Sequence, residues 1–416
     1  MKNKSSAFGG ISRALSNRNY RIYWFGNTPS LLGFWIQKVG LGHLVWDLTG
    51  SYAWLGMIGF AALAPSVLLS PIAGAVADRY GLRLVAINAL IVSGLAGLAF
   101  GLLVLTDNQK AEYLLILAFI QGLALSFDLP VRMALVPNLV ERRDLSSAIA
   151  LNTTTFHAGM FVGPALFGVI FSFFGLAAVF IVNGLTFFWF MGMLLLLRLE
   201  PVPKRGADAQ TLFSDMAEGV KYIASHPSMR ALFLFAVVPH LFIRPYMEWM
   251  PGFSAEVFGH GAEGLASLFS ATGLGSTLGG LWLALRGRNT GLTKILVVSL
   301  GVAILALLFF VFNNVYWIGL AIMFVLGITL VCGAVANHCL VQNTVEPSVR
   351  GRVISLGTGM AVGFPAIGAL TFGWLGSAIS IEISITGAMV IALLYWVPAA
   401  KRIMGRATDL EGEYHG

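Results

Sequence analysis

The sequence predicts an all-α membrane protein of twelve transmembrane helices, built as two pseudo-symmetric six-helix bundles. Three observations predict it. The 416 residues are 57% hydrophobic and only 11% charged, whereas soluble domains carry about 25% charged residues. Mean hydropathy is +0.82. Twelve stretches reach the length of about 20 apolar residues that the hydrocarbon core requires. The two halves of the chain also repeat one another's small-residue motifs.

The apolar stretches run over 20–46, 53–77, 83–105, 112–136, 146–172, 176–197, 229–251, 262–285, 292–312, 316–341, 352–378 and 384–400. An even number of spans puts both termini on one side, and basic flanks decide which side. With both termini in the cytosol, 23 of the 26 Lys and Arg residues fall on the inner side, the exceptions being Lys38, Lys110 and Arg244. This distribution accounts for the net charge of +7 without nucleic acid. The expected location is the inner membrane, multi-pass. The first apolar run is too long for a leader's apolar core and has no small-residue cleavage site, so it reads as a retained span.

Residues 200–227 form the one long polar stretch and contain an amphipathic pattern over 212–225. They divide an N-terminal bundle, 1–199, from a C-terminal bundle, 228–416, and read as a linker on the cytoplasmic membrane surface. Cys332 and Cys339 lie seven apart, roughly 10 Å along a helix, too far for a disulfide. No His, Cys or Asp grouping has metal-site spacing, and no cofactor is expected.

The internal repeat is carried by glycine and proline. Gly159, Gly163, Pro164 and Gly168 in the fifth span echo Gly359, Gly363, Pro365 and Gly368 in the eleventh. Gly74 and Gly81 after the second span echo Gly280 and Gly287 after the eighth. Parallel six-span repeats are a transporter architecture with the substrate site at the repeat interface.

Two local motifs sharpen this. After the second span the chain reads Gly74-Ala-Val-Ala-Asp78-Arg79-Tyr80-Gly81-Leu82-Arg83. A carboxylate and a guanidinium end a helix there, and Gly81 permits a tight reversal. This segment resembles the signature of the major facilitator superfamily. The fifth-span motif, Gly159 to Gly168, resembles the antiporter motif of drug exporters in that superfamily. Leu48-Thr49-Gly50-Ser51, the run Asp128 to Arg132 and Arg350-Gly351-Arg352 resemble the subgroup of macrolide and enterobactin exporters, the transmembrane secretion effector type. The resemblance implies a cytoplasmic latch: Asp78 facing the start of the eleventh span, and Arg79 seeking Asp128 at the inner end of the fourth. Ala284 occupies the Asp position of the second-half copy, so the latch would be asymmetric.

Polar groups inside spans are expensive and mark function. Gln37 and Lys38 lie in the first span, Gln121 in the fourth, His240, Arg244 and Glu248 in the seventh, Asn337 and His338 in the tenth. The family resemblance places these four spans around a central cavity. Lys38, Arg244 and Glu248 are expected to form a charged cluster in its outer half. Glu248 would bind a proton or a cationic group in alternation; the other reading is that Arg244 and Glu248 form a structural ion pair at the outer gate. His157 in the fifth span reads as a packed histidine.

The expected function is secondary active export of amphiphilic small molecules, drugs or siderophore-like compounds, by proton antiport through alternating access. The expected partners are a small-molecule substrate, protons and the bilayer, with the chain acting as a monomer. An importer or a lysophospholipid transporter of the same fold is the alternative. A membrane receptor or enzyme is disfavoured: no Walker A, H-E-x-x-H or G-x-S-x-G sequence is present, and no sizeable extramembrane domain.

Overall fold

Apolar length becomes helix along nearly the whole chain. The computed structural model describes residues 7–198, 209–288 and 290–412, without the side chains of 7–11, Pro71, Ala75, Asp78 and 209–215. A short helix α1 (Ala7–Ser16) precedes α2 (Arg18–Thr49), α3 (Tyr52–Tyr80), α4 (Leu82–Leu105), α5 (Ala111–Leu135) and α6 (Leu145–Leu195). Then follow α7 (Ala209–Ser225), α8 (Pro227–Val238), α9 (Tyr246–Gly252), α10 (Ala262–Arg286), α11 (Leu292–Val311), α12 (Tyr316–Thr344), α13 (Arg350–Ala378), α14 (Ile381–Met404) and α15 (Ala407–Glu411). Helix α7 occupies the amphipathic stretch of the expected linker; residues 200–208 of that linker lie outside the described residues.

Ten stretches among the described residues are long and apolar enough to cross a membrane. The longest, Arg142–Leu195, leaves helical geometry at Gly175, where φ is +76°. Only glycine adopts this region without strain, so the stretch supplies both the fifth and the sixth expected spans. Helix α2 covers the first expected span but carries Asn27, Gln37 and Lys38 in its middle, which lowers its apolarity. These helices account for all twelve apolar stretches, and the chain is an all-α multi-pass membrane protein.

The seventh expected span is broken. Pro239, Pro245 and Pro251 recur every six residues, and each removes a helical N–H. The chain answers with two wide π turns, Pro239–Ile243 and Phe253–Val257. Arg244 N–H donates to the Pro239 carbonyl at 2.9 Å and Phe258 N–H to that of Phe253 at 3.1 Å, both five residues back. In α2, Pro29 frees the carbonyl of Phe25, and Trp189 Nε1 of α6 donates to it at 3.2 Å. A backbone acceptor in an apolar setting is thereby satisfied.

The chain divides into two compact units: Met1–Leu41 with Pro65–Ala209, and Gly42–Ala64 with Gln210–Gly416. Lipid is as apolar as Leu, so helix association inside a membrane relies on close packing and hydrogen bonds. In the first unit α4 meets α6 at Gly97, where an added Cβ would stand 3.0 Å from Gly184 Cα. Tyr20 Oη of α2 donates to the Ala148 carbonyl at 2.8 Å, and Trp24 Nε1 to Thr155 Oγ1 at 2.9 Å. In the second unit α10 crosses α12 where Gly275 faces the Phe324 carbonyl and Gly327 faces that of Thr272. An aromatic cluster of Trp249, Phe253, Phe258 and Phe310 fills its interior, with Phe253 and Phe310 centroids 5.4 Å apart.

The residues Gly42–Ala64, the end of α2 and the start of α3, pack inside the second unit. Tyr52 Oη donates to Glu256 Oε2 at 3.0 Å, and Ala53 N–H to Ser377 Oγ at 2.9 Å. Gly56 lies directly on the backbone of α13 at Ala369 and Gly373. The far end of this unit is tied by α15: Glu411 accepts the Gly291 N–H at 2.5 Å and the Thr293 N–H at 2.8 Å, capping α11.

Candidate functional site

The two units each hold their own polar centre. In the first unit, three amides from three helices form a chain. Asn183 Nδ2 of α6 donates to Gln37 Oε1 at 2.6 Å, and Gln37 Nε2 of α2 donates to Gln121 Oε1 of α5 at 2.6 Å. Gln121 Nε2 reaches the Ser93 carbonyl of α4 at 3.5 Å. Gln37 is buried. Such a relay fixes amide orientations and costs little in an apolar interior because donors and acceptors alternate.

About two turns further along α5 lies a buried ion pair. Arg132 Nη2 stands 2.6 Å from Asp128 Oδ2, with the side chains 10% and 5% exposed. Arg132 Nη1 donates to Asn27 Oδ1 at 2.7 Å and Nη2 to Ser30 Oγ at 3.2 Å. Its guanidinium carbon lies 4.5 Å from the Phe190 ring centroid. Asp128, expected to meet Arg79, therefore has Arg132 as its ionic partner. Asp128 Oδ1 has no hydrogen-bond partner. Arg79 stacks over Tyr80 at 5.5 Å. The Asp78 side chain lies outside the described residues.

Other members of the signature segment act on the backbone. Gly81 has φ +91°, and its second-half counterpart Gly287 has φ +57°, so each half uses a glycine to leave the helix. Gly74 has open space where a Cβ would be. Arg83 donates to the Leu195 carbonyl and, at 3.3 Å, to that of Leu197. It thus caps the C-terminus of α6, where carbonyls lack helical partners.

The fifth-span motif is a packing device. A Cβ at Gly163 would overlap Trp35 of α2, and one at Gly159 would come within 3.2 Å of Trp35 Cδ1. Pro164 is buried, and the Gly168 carbonyl accepts Ser172 Oγ at 2.8 Å. In the second unit Gly368 of α13 plays the matching part against Leu241 and Pro245. In each half, then, the fifth span touches the first through a glycine.

The second unit contains a cavity of about 260 Å³ between α8 with its π turn, α11, α12 and α13. His240, Arg244, Asn337 and His338 all line it. The π turn Pro239–Ile243 separates His240 from Arg244; such turns recur at functional sites because they re-aim side chains. The rest of its wall is mostly apolar, including Phe233, Leu296, Leu300 and Met360, with the hydroxyl residues Ser299, Thr329 and Thr358 among them. Gln342 Nε2 lies 2.8 Å from His338 Nε2. Glu248 lies elsewhere: its carboxyl carbon would stand 2.8 Å from a Cβ at Gly59, and it is not a lining residue. No ion pair joins Arg244 to Glu248 among the described residues. Lys38 lies on α2 beside the amide relay.

Sequence reasoning gave no site role to Asn183, Arg132, Asn27 or Ser30. Asn183 sits in the middle of an apolar span, which is itself a signal. Asp128 and Arg132 are four residues apart, the spacing at which helical side chains meet.

Comparison with known proteins agrees with this architecture. Residues 10–411 match the family described as transmembrane secretion effector. The chain is 25% identical over 343 residues to the staphyloferrin A transporter of Staphylococcus aureus, covering 80% of this chain and 84% of that protein. It is 21% identical to macrolide efflux protein A of Streptococcus pyogenes, covering 93% and 96%. A solved structure of a variant of the nucleoside transporter NupG superposes with a TM-score of 0.75 at 16% identity, covering 92% of this chain and 99% of that one. With apolar helices of membrane-spanning length in both units and a family match along nearly its whole length, the chain belongs to the transmembrane secretion effector family of major facilitator transporters.

Proposed function

We propose that the chain is a secondary active exporter of amphiphilic small molecules, driven by the proton gradient. The observation that carries this reading is the cavity of the second unit, where mostly apolar walls surround a few polar groups, among them Arg244, His240, Asn337 and His338. That combination suits amphiphiles: apolar area gives affinity and sparse polar groups give orientation. The names of two relatives, a siderophore transporter and a macrolide efflux protein, support export of compounds of this kind. The absence of a Walker A sequence supports an ion gradient as the energy source.

The polypeptide would sit as a monomer in the inner membrane with both termini in the cytosol, which the distribution of Lys and Arg supports. Glu248, an acid in a membrane-spanning stretch, is the candidate proton carrier. The Asp78 and Arg79 segment would latch the cytoplasmic side. Gln37, Lys38 and Gln121 would shape the substrate path in the first half.

Cells expressing the protein are loaded with fluorescent amphiphiles of positive, neutral and negative charge, and efflux is followed before and after a protonophore. Protein-dependent efflux of at least one class that stops on collapse of the gradient is the expected result. Efflux that continues unchanged would remove proton coupling. Undiminished proton-coupled export by Glu248→Gln would remove that residue from the coupling role.

A further inference from the structure

We propose that the cavity of the second unit is an anion site, and that its ligand is an aryl or alkyl carboxylate with a small apolar body. This rests on the reading of the chain as a transporter of amphiphiles and names the charge class of that cargo.

The lining carries three ionisable side chains, Arg244, His240 and His338, and no Asp or Glu. Every ionisable group facing the space is therefore basic. No carboxylate stands within ion-pairing distance of Arg244 among the described residues. Contrast Arg132 in the first unit, which is met by Asp128, Asn27, Ser30 and the face of Phe190. Arg244 is exposed to the space it lines, so its guanidinium is open to an anion that enters, and a charge inside a membrane-spanning stretch marks function.

A further atom lacks a partner. His240 Nδ1 is a buried polar atom without a hydrogen-bond partner, and His240 lines the cavity. The Arg fork matches a carboxylate bidentately, and the neighbouring His and Asn side chains can orient its remaining edge. The rest of the wall, Phe233, Leu296, Leu300, Leu330, Ile354 and Met360, offers carbon surface for an apolar body. The size limits that body. About 260 Å³ lies just below the roughly 300–1,000 Å³ of drug-sized pockets, so one or two rings fit.

The test uses the full-length protein in zwitterionic-lipid nanodiscs, with no gradient. Binding of tritiated 1-naphthaleneacetate is measured at pH 7.5 and competed with 1-naphthaleneethanol and 1-naphthaleneethylamine, which keep the ring and change only the head group. The acid should bind about tenfold or more tighter than the alcohol, a difference of about 1.4 kcal/mol, with the amine weakest. Arg244→Gln should erase the acid's advantage, and Arg244→Lys should retain part of it. Equal binding of acid and alcohol by the unaltered protein would overturn the proposal, without reliance on any variant. So would an acid preference that survives Arg244→Gln, or displacement of the probe by phosphatidylglycerol but not by unlabelled acid. Protein that prefers the acid yet exports nothing from cells sinks the transport reading and leaves the site. Protein that exports without any anion preference sinks the site alone.

Discussion

Arg132 and Asp128 stand 2.6 Å apart in a pocket that leaves their side chains 10% and 5% exposed. Four residues of α5 separate them, and Asn27, Ser30 and Phe190 complete the shell. Removing one member of a buried pair strands the other charge, at about 3–5 kcal/mol, whereas apolar replacement of both is far milder. Arg132→Met is therefore expected to lower the thermal unfolding midpoint in detergent strongly. The double variant Asp128→Leu/Arg132→Met should recover much of that loss. A double variant as unstable as the sum of the singles would show that the two side chains act independently.

The fifth-span glycine makes a second prediction. Gly163 packs against Trp35 with no room for a Cβ. Gly163→Leu should cost about 1–3 kcal/mol through overpacking. Combining it with Trp35→Ala should return part of that cost, a coupling of about 0.5–3 kcal/mol by double-mutant cycle. Strict additivity would place the effect of Gly163 somewhere other than this crossing.

A third concerns the segment between α2 and α3. Ser51 Oγ lies 3.3 Å from Ser377 Oγ at the end of α13. In a background with Cys332 and Cys339 replaced by Ala, Ser51→Cys/Ser377→Cys should cross-link on mild oxidation. Transport should fall when the link forms and return on reduction, because alternating access needs mobile repeats. Full activity of the cross-linked protein would mean that this contact persists throughout the cycle.

The fourth prediction is a pH dependence with a definite sign. Burial tends to raise the carboxyl pKa of Glu411, but the amides of Gly291 and Thr293 and the charge of Arg286 together hold it below its ordinary value of 4.5. A group lowered on folding contributes stability above its unfolded pKa and loses it as pH falls through the folded value. The helix cap is worth about 1 kcal/mol, less where solvent screens it. Wild type should thus be more stable than Glu411→Gln by a constant margin between pH 6 and 8, shrinking as the pH drops below about 4.5. A margin that grew on acidification would contradict the capping role.

Much of this was legible in the sequence, and the boundary of legibility is physical. Hydropathy located the helices because the bilayer demands apolar length; α4, predicted over 83–105, is Leu82–Leu105. Gly175 and its positive φ were foreshadowed by the gap between the predicted fifth and sixth spans. Three prolines at six-residue intervals interrupt the seventh, but the hydropathy pattern reads through them, and the register of the two π turns depends on neighbouring helices. Among the site residues, His240, Arg244, Asn337 and His338 share a wall because helical faces follow from spacing. Glu248, four residues beyond Arg244, lies against Gly59 instead, beyond a turn whose geometry spacing alone does not reveal. Asp128 has two candidate arginines in the sequence, Arg79 and Arg132, and only packing decides between them. That Gly42–Ala64 folds with the second unit is a long-range contact with no local sequence signature.

Transport itself is tested most directly in proteoliposomes. Purified protein is reconstituted with an imposed pH gradient, and the movement of labelled 1-naphthaleneacetate, a neutral macrolide analogue and an aromatic cation is followed against protein-free vesicles. The expected result is gradient-dependent accumulation of at least one compound, halted by a protonophore. Fluxes equal to those of protein-free vesicles for all three, with protein shown to be folded and inserted, would contradict the account.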